Sequence, residues 1–189
     1  MRLRTFLVGL AGIAVVAAAG AYGLTLRSSI PPISQPKADR FDRATVKRGA
    51  FLASLGDCTV CHTTGDGAPF AGGLPLKTPF GTLYSTNITP DAETGIGNWS
   101  LDAFKRAMRE GVDREGGYLY PAFPYTHYNH VTDEDLTAIY AFLMKRRPVA
   151  ATPPANDLIP PLGFRPVLAG WNLLFLDERP FVPSTSESA

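Results

Sequence analysis

Four patterns of apolar and polar positions organise the chain. The first is an unbroken apolar run. From Thr5 to Leu26, 22 residues carry no charge, with Arg2 and Arg4 before them and Arg27 after. At about 1.5 Å per residue such a run makes about 33 Å of helix, enough to cross a bilayer core. The pattern predicts an N-terminal transmembrane helix with Arg2 and Arg4 left in the cytoplasm. A cleaved signal peptide, cut near Ala19-Gly20-Ala21, is the competing reading. Both readings export the remainder of the chain.

The second pattern is helical periodicity in three short stretches. Thr45 to Leu55 carries Val46, Ala50, Ala53 and Leu55 as an apolar face, with Gly56 placed to end it. Gly49 weakens this helix, unless it admits close approach of another helix. Ser100 is the expected N-cap of a second helix whose face is Leu101, Phe104, Ala107 and Met108, closed by Gly111. Thr132 is the expected N-cap of the third, with Asp135 in the capping-box position and Val131 and Leu136 as a staple. Its i, i+3, i+4, i+7 face is Leu136, Ile139, Tyr140 and Leu143. Lys145, Arg146 and Arg147 suit the negative end of its dipole, and Pro148 stops it.

The third pattern is aperiodic. Thr63 to Gly73 is polar and Gly-rich, and Leu74 to Pro90 shows almost no helical period. Both read as loop. The fourth is a Pro-rich tail from Pro148 onward, carrying the apolar cluster Trp171-Asn172-Leu173-Leu174-Phe175-Leu176, which needs a surface to pack on. Ser184 to Ala189 is expected to fray. The resulting division is 1–27 membrane anchor or uncleaved signal, 28–43 an extended Ser/Pro tether, 44–148 the main domain, and 149–189 an extension packing on that domain or on a partner.

Composition adds two limits. Eighteen Gly and 17 Pro favour long ordered loops over many helices, and a net charge of +1 gives no general attraction to nucleic acid.

Chemistry concentrates in Cys58-Thr59-Val60-Cys61-His62, which contains the only two cysteines and one of three histidines. Cys-x-x-Cys-His is a c-type haem attachment signal. Two thiols add across the two vinyl groups of one porphyrin, and the following imidazole reaches the iron from one face. A redox Cys-x-x-Cys pair needs no such His, and a structural zinc site needs four ligands that the chain supplies poorly. Leu74, Pro79 and Phe80 are candidate ring contacts. Tyr84, Asn87 and Trp99 are candidate haem-binding side chains, the first two through the propionates and Trp99 through its indole.

The second axial position is open to several donors. Tyr118 to His127 is an aromatic, Pro-stiffened loop between the second and third helices, and His127 lies inside it. Met108, His130 and an open iron are the alternatives. An open iron would make the chain a five-coordinate haem enzyme or a gas or peroxide sensor; a filled position makes it an electron carrier.

Several motifs carry a resemblance to a known family. They are Arg48-Gly49-Ala50-Phe51-Leu52, Gly56-Asp57-Cys58 through His62, Pro69-Phe70-Ala71-Gly72-Gly73-Leu74, Thr78-Pro79-Phe80-Gly81-Thr82, Tyr84 to Pro90, Gly95 to Trp99, Leu119-Tyr120-Pro121-Ala122 and Ala169-Gly170-Trp171-Asn172. From Arg48 to about Phe181 the chain resembles the N-terminal haem domain of the multihaem cytochrome c subunits of membrane-bound bacterial dehydrogenases, including those associated with molybdenum hydroxylases. The resemblance implies a class I cytochrome c-like, all-α fold, three main helices with long loops around one haem, to which the apolar run adds an N-terminal transmembrane helix. It also implies one covalently attached haem c on Cys58, Cys61 and His62, and electron transfer from a dehydrogenase subunit to a downstream acceptor at the inner membrane, with the haem domain facing the periplasm. Two features depart from the family. Phe123 stands where members carry an axial Met, and one haem motif is present where members usually have three.

Overall fold

A computed structural model describes residues 2–177. The expected frayed end, Ser184–Ala189, and Phe181 lie outside the described residues. In chain order the helices are α1 Arg2–Thr25, α2 Arg43–Leu55, α3 Cys58–Cys61, α4 Leu101–Glu110, α5 Tyr125–Tyr128, α6 Asp133–Met144 and α7 Leu168–Phe175; the strands are β1 Pro75–Thr78, β2 Gly81–Tyr84 and β3 Asp157–Leu158.

The three main helices start where local chemistry stops their backbone N–H groups from being orphaned. Asp42, rather than a residue nearer Thr45, caps α2 by accepting from the Thr45 backbone at 2.9 Å and its hydroxyl at 2.6 Å. Ser100 caps α4 through Ala103 at 3.1 Å, and Thr132 caps α6 through Asp135 at 3.1 Å. The Asp135 side chain does not reach back to complete a capping box. It pairs with Arg48 of α2 at 2.6 Å instead.

α6 is the centre of the core. Its expected face is buried, and so are Ala138, Ala141, Phe142 and Met144 around the rest of it. α2 crosses α6 at Gly49, where an added Cβ would lie 1.8 Å from the Ala138 carbonyl oxygen. Phe70, Ile96, Phe104 and Met108 fill in from the loops and α4.

The all-α expectation is corrected. β1, β2 and β3 form an antiparallel sheet in that order, with Leu76 opposite Leu83 and Gly81 opposite Leu158. The turn between β1 and β2 is only Pro79-Phe80. Thr78 organises it by donating its hydroxyl to the Gly81 carbonyl at 2.8 Å and accepting from Phe80 N–H at 3.1 Å. Four-residue strands are too short to print a period on the sequence, so the segment reads as loop.

The expected transmembrane span is also corrected. α1 forms, but among the described residues no helix is long and apolar enough to cross a membrane. Of the seventeen residues from Gly9 to Thr25, six are Ala and four are Gly. Side chains this small bring little apolar area.

The tether is more tightly held than its composition predicts. Ile30 N–H donates to the Arg114 carbonyl at 2.8 Å and Ile33 N–H to the Asn98 carbonyl at 2.9 Å. Arg106 reaches the Ser28 carbonyl at 2.7 Å. The extension after Pro148 also lies on the domain. Arg165 bridges to Asp113 at 2.7 Å, and the buried Tyr125 hydroxyl donates to the Asn172 side-chain oxygen at 2.6 Å. Asn172 in turn donates to the Glu110 carbonyl at 2.7 Å. Tyr125→Phe strands that buried Asn172 acceptor, so it should lower stability by about 1–3 kcal/mol in urea titrations; an unchanged midpoint would show that water replaces the phenol.

Candidate functional site

The Cys-x-x-Cys-His run occupies one helical turn. Gly56 ends α2, with its N–H donating to the Leu52 carbonyl, and Asp57 takes the left-handed conformation at φ 53°. That reversal costs a non-Gly residue about 1–2 kcal/mol, least for Asp and Asn. It aims α3 away from α2. Cys58 and Cys61 then lie one turn apart on α3, and the His62 N–H closes the turn on the Cys58 carbonyl at 3.0 Å. Both thiols are free; Cys58 is half-buried against the core and Cys61 is exposed. Burial pushes the Cys58 thiol up to about 11.

His62 is held in one orientation. Its Nδ1 lies 2.6 Å from the Thr86 carbonyl oxygen. A carbonyl can only accept, so Nδ1 carries the proton and Nε2 keeps its lone pair. Burial pulls the imidazole below its ordinary value, against the opposing pull of the Thr86 carbonyl, and so favours the neutral ring.

The Thr86 carbonyl is itself fixed by a crossing of two backbone segments. Gly72 N–H donates to the His62 carbonyl at 2.8 Å, Gly73 N–H to the Ser85 carbonyl at 2.8 Å, and Ile88 N–H to the Phe70 carbonyl at 2.9 Å. Gly72 has φ +73°, and a Cβ there would meet the Thr86 carbonyl carbon at 2.4 Å. Only glycine lets the two chains approach this closely.

The donor set fits a covalently attached haem. It offers two unpaired thiols one turn apart, followed by an imidazole whose Nε2 is left available as a ligand by the hydrogen bond at Nδ1. It does not fit structural zinc: among the described residues no three His, Cys, Asp or Glu side chains gather as a metal site.

The remaining sequence candidates fall in different places. Trp99 is half-buried against the core, and its carbonyl accepts from the Tyr140 hydroxyl at 2.7 Å. Tyr84 ends β2, its N–H donating to the Asn156 side chain at 2.8 Å. Asn87 is buried and fully engaged. Its amide nitrogen donates toward Thr94, Val149 and Ala151, and its oxygen accepts from Thr89 N–H and hydroxyl. Those bonds pin the loop to the extension. Phe80 is exposed at the hairpin turn.

Of the candidates for the second axial position, Met108 is buried in the core cluster, and so is Met144. His127 is exposed on α5, with the Thr126 hydroxyl 3.3 Å from its Nδ1. His130 is half-buried just before the α6 cap. Two important residues went unread in the sequence. Thr86 acts through its backbone and leaves no side-chain signal. Tyr128 carries no motif; its hydroxyl donates to the Gly56 carbonyl at 2.7 Å.

No protein-family model matches the chain. It is similar to a nicotinate dehydrogenase component from Pseudomonas putida, 50% identical over 169 residues that cover 89% of this chain and 14% of that protein. It is also 50% identical to the gluconate 2-dehydrogenase cytochrome c subunit of Pantoea cypripedii, over 79% of this chain and 34% of the relative. A diheme cytochrome c-type protein of Cereibacter sphaeroides is 37% identical over 87% of this chain and 56% of its own length. The chain thus spans between about a seventh and a little over half of these relatives. A match over 169 of 189 residues necessarily includes Cys58 to His62. By sequence, the chain is a homologue of the cytochrome c subunits of dehydrogenases, sharing with them the segment that contains its haem-attachment signature.

Proposed function

We propose that this chain is a c-type cytochrome carrying one haem c on Cys58, Cys61 and His62, and that it passes single electrons from a dehydrogenase toward a downstream acceptor. The bound haem would supply a one-electron carrier. The residues here would do the holding: the two thiols would fix the ring by thioether bonds, and His62 would offer Nε2 to the iron while the Thr86 carbonyl holds Nδ1. The observation that carries the reading is that 2.6 Å contact, because it sets the tautomer a haem ligand requires. The relatives named for nicotinate and gluconate dehydrogenases support a dehydrogenase as electron donor; we place the haem-bearing chain on the exported side of the membrane.

We assign the second axial position to His127. It sits in the loop between α4 and α6 and is exposed, whereas Met108 and Met144 are buried among core side chains. The test is spectroscopic and electrochemical. A pyridine haemochrome should give one haem per chain, resistant to acid acetone. His127→Met should raise the midpoint potential, because thioether ligation favours ferrous iron. An unaltered potential and spectrum would reject His127. Rapid carbon monoxide binding by the reduced wild-type protein would instead favour an open iron and a haem enzyme or sensor.

A further inference from the structure

The loop between α4 and α6 is tied to the haem-attachment turn by one side chain that the functional assignment does not use. Tyr128 sits on the last position of α5, next to His127. Its hydroxyl donates to the carbonyl of Gly56, two residues before Cys58, at 2.7 Å across 72 positions of sequence. Its ring stacks on Phe123 of the same loop, with centroids 5.6 Å apart and planes 24° from parallel. Both rings pack against the core that also receives Cys58. Gly56 leaves room for the hydroxyl. A Cβ at 56 would lie 3.3 Å from the Tyr128 oxygen and 3.4 Å from its ring.

We infer that Tyr128 is a positioning residue that anchors the 121–130 loop, and with it His127, to the turn that carries the cysteines. Cys58, Cys61 and His62 set one face of the site from α3. Nothing in the sequence links that turn to the loop, and Tyr128 supplies the link: a hydrogen bond to the turn and a ring stack within the loop. This rests on the haem reading above.

The test uses the holo protein with attached haem. Tyr128→Phe removes the hydroxyl and keeps the ring. Haem per chain should be unchanged, while carbon monoxide association with the reduced protein should rise by about fivefold, the factor that loss of one such hydrogen bond represents. Tyr120→Phe is the control. It loses the same phenol-to-carbonyl bond, but to Leu162 in the C-terminal extension, at 3.0 Å, and should bind carbon monoxide at the wild-type rate. Gly56→Ala presses on the Tyr128 hydroxyl without removing it and should accelerate binding by a smaller factor. Should Tyr128→Phe not accumulate, Gly56→Ala decides. Wild-type rates in Tyr128→Phe, or equal acceleration in Tyr120→Phe, would overturn the inference while leaving the haem assignment intact. A wild-type protein without acid-acetone-resistant pigment would defeat the haem assignment itself, and the inference with it.

Discussion

Gly49→Ala should destabilise the protein by about 2 kcal/mol or more, even though it replaces a poor helix former with the best one. The substitution carries no conformational penalty, and in an open helical position it would stabilise by about 1 kcal/mol. Here the new methyl would lie 1.8 Å from the Ala138 carbonyl oxygen, 2.4 Å from its carbon and 2.9 Å from the Phe142 Cβ. The first two atoms are helix backbone and cannot turn aside as a side chain would. Relief requires α2 and α6 to separate, and with them the contacts of Ala53, Leu136, Ile139 and Phe142. Overpacking of this kind costs about 1–3 kcal/mol, occasionally more, and a carbonyl overlap belongs at or beyond the upper end. For a chain of this size the melting temperature should fall by about 4–8 °C. Gly170→Ala in α7, where nothing lies within 4 Å of an added Cβ, is the matched control and should be neutral or slightly stabilising. If both variants melt together at or above wild type, the close crossing of α2 and α6 is wrong.

Gly49 also shows what the sequence makes legible. A glycine inside an otherwise regular helical pattern signals close approach, and the three main helices announce their ends through caps, because capping is chemistry between near neighbours. Ser100, Gly111 and Thr132 each do in the structure what their residue type predicts. The haem signature is legible for the same reason: five consecutive residues carry it. Contacts between distant segments leave no such trace. The Ser/Pro composition of residues 28–36 reads as a free tether, yet Arg106 and Arg114 grip its backbone carbonyls from 78 and 84 positions away. Asn87, placed by sequence as a propionate donor, is enclosed by Val149 and Ala151, which no local pattern connects to it. The hairpin is missed because its strands are too short to show alternation, and the Ala/Gly-rich N-terminal run suggests a membrane span because length and lack of charge say nothing of side-chain area.

The largest effect on the site itself should come from Gly72→Ala. Two penalties act together. The residue has φ +73°, which costs a residue with a Cβ about 1–2 kcal/mol. The added Cβ would also lie 2.4 Å from the Thr86 carbonyl carbon and 2.6 Å from the Ser85 oxygen, again backbone atoms. Loss of stability should therefore reach about 3 kcal/mol or more. The functional consequence is separable from it. The carbonyl displaced by the new methyl is the one that accepts from His62 Nδ1. That hydrogen bond draws the proton toward oxygen and makes Nε2 a stronger donor, which favours ferric iron. Weakening it should raise the midpoint potential. A bond worth about 1 kcal/mol corresponds to about 40 mV for a one-electron couple. Measured on the folded fraction at low temperature, a Gly72→Ala holo protein with a lower potential than wild type would contradict the geometry. A potential unchanged despite a large loss of stability would show that Gly72 supports the fold without controlling the orientation of His62.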